Sequence, residues 1–134
     1  MRTIRINRIA VLGLGVMAML AAPAMAQSDP VLALEGSCPG VLRAEVAGAP
    51  PRRGLSLLFA SETGSTRIPN HAYCGGVVLG LGRRNLRVVE GGTTDEFGFI
   101  AFEGIAGGRA CGGFLQVLTY PLAGCLTSNV VRIE

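Results

Sequence analysis

Between Val41 and Ala47 the side chains alternate, with Leu42, Ala44 and Val46 on one side and Arg43 and Glu45 on the other. A period of two places one set on one face of an extended chain, which is the pattern of a β-sheet packed on one side and not of a helix. Leu55, Leu57 and Phe59 repeat the pattern, and so do Val131 and Ile133 around Arg132. Pro30, Pro39, Pro50, Pro51, Pro69 and Pro121 fall between short β-favouring runs, and Gly is spread throughout, so long helices have little room.

The expected strands are Val31 to Leu34, Val41 to Ala47, Leu55 to Ala60, Ser65 to Ile68, Val77 to Leu81, Leu86 to Glu90, Phe97 to Phe102, Phe114 to Thr119 and Val130 to Ile133. Turns are expected at Ser37 to Gly40, Ala49 to Gly54, Gly91-Gly92 and around Gly107-Gly108. Short antiparallel strands with frequent turns predict an all-β chain, a two-sheet antiparallel sandwich of about seven to nine strands. No internal repeat or low-complexity tract interrupts it.

The first residues belong to a different object. Arg2, Arg5 and Arg8 precede an uncharged stretch of 20 residues from Ile9 to Ser28, which Pro23 breaks before Ala24-Met25-Ala26. A basic stretch, an apolar run and small residues at its end define a secretory signal peptide, here residues 1–26 with cleavage after Ala26. The same stretch is near the lower length limit for a membrane anchor, but the Pro and the Ala-rich site favour removal. No Cys follows the run to carry a lipid.

Removing 26 of 134 residues leaves 108, a single domain (27–134) with 9 Arg, no Lys, 9 acids and a formal charge of zero in place of +3. The apparent basicity belongs to the leader, so nothing argues for a nucleic-acid or anionic-membrane partner. No later segment is apolar for long enough to span a membrane. The mature product is expected to be secreted or periplasmic.

Export decides how the cysteines are read. Cys38, Cys74, Cys111 and Cys125 all lie in the mature part, and an even number in an exported chain of this size is a disulfide framework. A zinc site is the alternative, but no Cys-x-x-Cys pair is present. Four cysteines allow three pairings. If successive strands alternate in direction, Cys38 and Cys111 share one end of the sandwich, and Cys74 and Cys125 share the other. Bridged Cα atoms lie within about 7 Å, so Cys38 with Cys111 and Cys74 with Cys125 is preferred. The preference depends on Ser65 to Ile68 being a strand, and a Cys38–Cys74 bridge would refute it.

Several segments together resemble a known kind of domain. They are Ser37-Cys38-Pro39-Gly40 before an alternating strand, Ile68-Pro69, Cys74-Gly75-Gly76, Thr93-Thr94-Asp95-Glu96-Phe97-Gly98, Gly113-Phe114-Leu115-Gln116-Val117, and Cys125-Leu126-Thr127-Ser128-Asn129-Val130-Val131. Spread from Ser37 to Ile133, they resemble the small disulfide-containing Ig-like β-sandwich domains of exported proteins of Gram-negative bacteria, which have no assigned activity. The resemblance implies a fold and an exported location, and it carries no site residues.

The search for chemistry is mostly negative. His71 is the one imidazole, in a loop whose nearest carboxylate in sequence is Glu62, and it reads as a solvent-facing residue. Asp95 and Glu96 are adjacent and point apart on an extended chain; the other acids are scattered, and Asp95 reads as an acceptor for backbone amides in a turn ending at Gly98. Gly80-Leu81-Gly82-Arg83-Arg84 lacks the third glycine and the helix of a dinucleotide fingerprint. No cofactor and no catalytic or metal-binding residue is expected.

Arg52 and Arg53 form one basic loop, and Arg83, Arg84 and Arg87 another, at opposite ends of the sandwich. These are the candidate binding loops. With no Trp, only Tyr73 and Tyr120 are available to stack on a sugar, and the five Phe are expected in the core. Phe97 and Phe99 are expected on one face of a strand, with Ile100 and Phe102 on the other. The favoured function is a non-enzymatic exported domain with a structural or binding role toward an envelope or extracellular protein or glycan. The alternative is a small secreted protease inhibitor, presenting Ala49 to Arg53, or a hydrolase-type enzyme whose acids converge in a cleft.

Overall fold

A computed structural model of the chain describes residues 29–120 and 124–134. The leader and its cleavage point after Ala26 lie outside the described residues. The chain forms β1 (Val31–Gly36), β2 (Gly40–Ala47), β3 (Gly54–Ala60), β4 (Thr63–Arg67) and β5 (Val78–Leu81). It continues through β6 (Arg87–Thr93), β7 (Ile100–Ala106), a 3-10 turn at Gly108–Ala110, β8 (Phe114–Thr119), β9 (Leu126–Thr127) and β10 (Val131–Arg132).

All pairings are antiparallel and fall into three sheets, ordered β1-β2-β7, β10-β8-β3-β6 with β9 also on β8, and β4-β5. The first two sheets face each other across a core of Leu32, Ala44 and Val46 against Leu55, Leu57, Phe59, Leu115 and Val117. On their other side β3 and β8 present Leu58, Ala60 and Leu118 to Leu79 and Leu81 of β5, which makes a second core. The strand that alternates Leu55, Leu57 and Phe59 is therefore central, with both faces covered, and the β4-β5 hairpin is a further layer beyond the two sheets expected.

Buried polar groups join these layers. Gln116 of β8 is buried; its Oε1 accepts from Gly80 N at 2.9 Å, and its Nε2 donates to Ser128 O at 2.8 Å. Ser128 Oγ accepts from Val117 N at 2.8 Å. The Asn129 amide substitutes for a missing strand beside β1, accepting from Leu32 N at 2.8 Å and donating to Leu32 O at 3.0 Å. On the outer face of the first sheet, Arg43 Nε donates to Glu45 Oε2 at 2.8 Å, and this bond raises the guanidinium above its ordinary value.

The disulfides are Cys38–Cys111 and Cys74–Cys125, with Cα separations of 5.4 and 5.5 Å. The first joins the loop before β2 to the turn before β8, clamping one sheet of the sandwich to the other. The second joins the loop after β4 to the residue before β9, fastening the added layer. Two disulfides suit an oxidising compartment. Among the described residues no helix is long and apolar enough to cross a membrane.

Three local expectations are corrected. Phe97 to Phe99 is not strand: β7 begins at Ile100 and runs on to Ala106, and Phe97 is 79% exposed rather than in the core. The cause is Asp95, whose Oδ1 accepts from Phe97 N at 2.8 Å and Phe99 N at 2.9 Å, holding a turn that closes at Gly98 with φ +78°. Gly91-Gly92 is not a turn but part of β6, paired with Ser56 and Leu55. Finally, β9 is a two-residue strand beyond those expected.

Candidate functional site

The inner face of the first sheet is filled unevenly. Leu32, Ala44 and Val46 are buried, but Leu34, Leu42 and Phe102 on the same face are only half-buried. The register explains the difference, because Leu42 stands between Gly36 on β1 and Gly104 on β7, and neither neighbour brings a side chain. A Cβ built on Gly104 meets nothing within 4 Å. At the opposite end a Cβ on Gly92 would lie 2.6 Å from Ile100 Cδ1. The sandwich is thus shut where β6 passes through the Asp95 turn into β7, and it gapes where those two strands have diverged.

The gap is a cleft of about 330 Å³. Leu42, Leu57, Phe59, Leu115 and Ile133 form its apolar floor, and Glu103 to Gly107 form one wall. Among the described residues both bordering strands are free along one edge, since β7 pairs only with β2 and β6 only with β3. Val89, 42% exposed, stands on the cleft rim, whereas Ile105, 84% exposed and paired with Val41, and Val88, 59% exposed and paired with Leu58, project from the opposite faces of their strands.

A bulge in β6 sets the opposite rim. Leu57 faces Glu90, but Leu58 faces Val88 and Phe59 faces Arg87, so Val89 is an extra residue. Cross-strand partners share a face, which turns Glu90 and Arg87 toward the cleft on the side of Leu57 and Phe59. The Arg87 guanidinium lies 4.5 Å from the Phe59 ring centroid, a cation–π contact. Among the described residues neither Arg87 nor Glu90 enters an ion pair.

The candidate basic loops lie elsewhere and apart. Arg52 and Arg53 precede β3, whereas Arg84 follows it, its carbonyl accepting from Ser61 N at 2.9 Å. The length of β3, about 20 Å, separates them. The first loop is tied down: Thr94 Oγ1 donates to Pro50 O at 2.7 Å and accepts from Arg53 N at 3.0 Å. Arg52, left-handed at φ +55°, sends its guanidinium to 3.7 Å from Glu96. Arg83 and Arg84 are exposed on the β5–β6 connection, where Glu62 Oε2 accepts from Arg84 N at 3.4 Å.

His71 is exposed, in a turn closed by Ala72 N donating to Pro69 O at 3.0 Å. Tyr73 and Tyr120 have ring centroids 5.5 Å apart, but Tyr120 is half-buried with its hydroxyl 2.6 Å from Ser56 Oγ. Among the described residues no three His, Cys, Asp or Glu side chains stand close enough to hold a metal ion.

Arg87, expected with Arg83 and Arg84 in a basic loop, lies instead on the cleft rim, and the cleft wall on β7 has no counterpart among the expected sites. The available signal was Gly104-Ile105-Ala106-Gly107, a large apolar residue set among small ones, which reads as a turn until the strand is seen to continue. No family model, characterised protein or solved structure matches this chain.

Proposed function

We propose that the chain loses residues 1–26 on export and works outside the cytosol as a non-enzymatic, Ig-like binding domain. The observation that carries this reading is the cleft between β6 and β7. Folded domains rarely leave an apolar cavity unfilled with a large aliphatic side chain, here Val89, exposed on its rim unless something docks there, and the cleft's volume falls in the range of ligand-binding pockets. The two disulfides supply the rigidity that such an open sandwich needs outside the cell.

The alternative, a small protease inhibitor or hydrolase-type enzyme, draws less support. An inhibitory loop must lie extended in a protease groove, whereas Arg52 turns back on itself toward Glu96.

Affinity capture with the mature, oxidised protein from envelope and culture supernatant tests the proposal. Recovery of one stoichiometric partner supports a binding role. Inhibition of a trypsin-like protease that is lost in Arg52→Ala would favour the alternative, and recovery of no partner would leave only a structural role. Intact mass tests export, since a dominant species retaining Met1 to Ala26 would contradict it.

A further inference from the structure

We infer that the cleft receives an extended peptide strand of a partner protein, which adds to the free edge of β7 and places alternate apolar side chains in the gap. The inference rests on the binding role proposed above and names the occupant.

The nature of the wall decides the class of ligand. From Glu103 to Ala106 the cleft is bounded by a strand that, among the described residues, has no neighbour on that side. Along such an edge alternate residues direct N–H and C=O outward. An acyl chain or other lipophile filling the cavity would strip water from those groups and give them no partner, an unfavourable exchange. A peptide strand pairs them and fills the cavity with the same residues, as in strand addition to a sheet edge.

The layer arithmetic agrees. The first sheet offers three strands to a second sheet whose main path has four, and the side of β6 that faces the cleft is left uncovered. One more strand beside β7 covers it. Side chains on the inner face of that strand meet Leu42, Phe59 and Phe102, where Gly104 leaves room. The rim adds orientation: Arg87 and Glu90 lie at successive positions along β6, separated by the bulge, and have no ionic partners among the described residues. A strand with an acid toward Arg87 and a base toward Glu90 is complementary. The chain's own entry at Asp29 leads into β1, the edge of that sheet remote from β7.

The test uses the mature, oxidised protein and synthetic acetylated peptides in which Val or Ile alternates with Thr, with Asp at one end and Lys at the other. Binding is read by calorimetry. The expected result is saturable one-to-one binding that falls by about tenfold or more when two alternate amides are N-methylated, because each methyl removes a donor to the edge. Exchanging the Asp and Lys ends weakens binding at low salt. Gly104→Leu fills the gap and abolishes binding, while an unchanged far-UV spectrum and melting temperature show that the fold persists.

Equal affinity of the N-methylated and parent peptides overturns strand addition, as does binding of dodecanoate in the absence of peptide binding. Self-association that Gly104→Leu or Ile105→Lys disrupts would make the occupant a second copy and overturn the proposal. A captured partner whose affinity is unchanged in Gly104→Leu would keep the binding role and refute this site; failure to capture any partner would count against the binding role itself.

Discussion

Replacing Gln116 with Leu removes a side chain that bonds to both β5 and the segment before β10. Gln116 is 4% exposed, and its amide bridges Gly80 N at 2.9 Å and Ser128 O at 2.8 Å. Leu is close in volume, so the perturbation is the loss of two hydrogen bonds with both backbone groups left in place. Each group stranded without a partner costs about 1–3 kcal/mol, and the added apolar surface returns about 1 kcal/mol. The net expectation for Gln116→Leu is a loss of about 1–5 kcal/mol, centred near 3. For a domain of this size, whose total stability is about 5–10 kcal/mol, that lowers the melting temperature by about 10–20 °C.

Urea and thermal unfolding followed by circular dichroism, with both disulfides intact, measure the loss. Gln116→Glu sharpens the reasoning. Burial favours the neutral form of the introduced carboxyl, so its folded pKa is raised above an unfolded value of about 4.3. Its favourable contribution is therefore present below that pH and is lost as pH rises through the folded pKa, so the deficit relative to wild type grows toward neutrality. A stability for Gln116→Leu within about 0.5 kcal/mol of wild type would refute the view that this amide joins the layers.

Two further outcomes follow from the covalent and turn structure. Non-reducing peptide mapping is expected to give Cys38–Cys111 and Cys74–Cys125 peptides, and removing either pair as a double Ser variant is expected to cost about 4 kcal/mol in the chain-entropy model, given sequence separations of 73 and 51. At the closed end of the cleft, Gly98→Ala demands a side chain at φ +78° that would overlap the Ala49 carbonyl oxygen. It is expected to destabilise by about 2 kcal/mol or more in urea, whereas Asp95→Ala, which loses two exposed turn bonds, is expected to cost about 1 kcal/mol.

What could be read from the sequence was whatever depends on local pattern. Alternation in Val41 to Ala47 named the inward residues of β2, because a one-residue slip would expose Leu42, Ala44 and Val46 together. Asp95 was legible as a turn acceptor from its position before Gly98, yet the same turn was misread at its neighbours: Phe97 and Phe99 look like strand residues by side-chain type, and the local bonds of the Asp95 carboxylate to their amides prevent it. The third layer was hidden for another reason. Leu58 and Ala60 fit the outer face of a two-sheet sandwich as readily as they fit a second core, and only the folding back of β4 and β5 over β3 decides between them. The cleft was least legible, since it arises where Gly104, far from Leu42 in the chain, stands beside it in one row of a sheet without a side chain.

The most direct test of the central claim is amide hydrogen exchange of the mature, oxidised protein with and without the Val/Thr peptide. Strand addition predicts new protection at alternate amides within Glu103 to Ala106 of β7 and little change at the opposite edge, Val31–Gly36. Protection confined to the Arg52 or Arg83 loops, or no change along β7 at saturating peptide, would contradict the account.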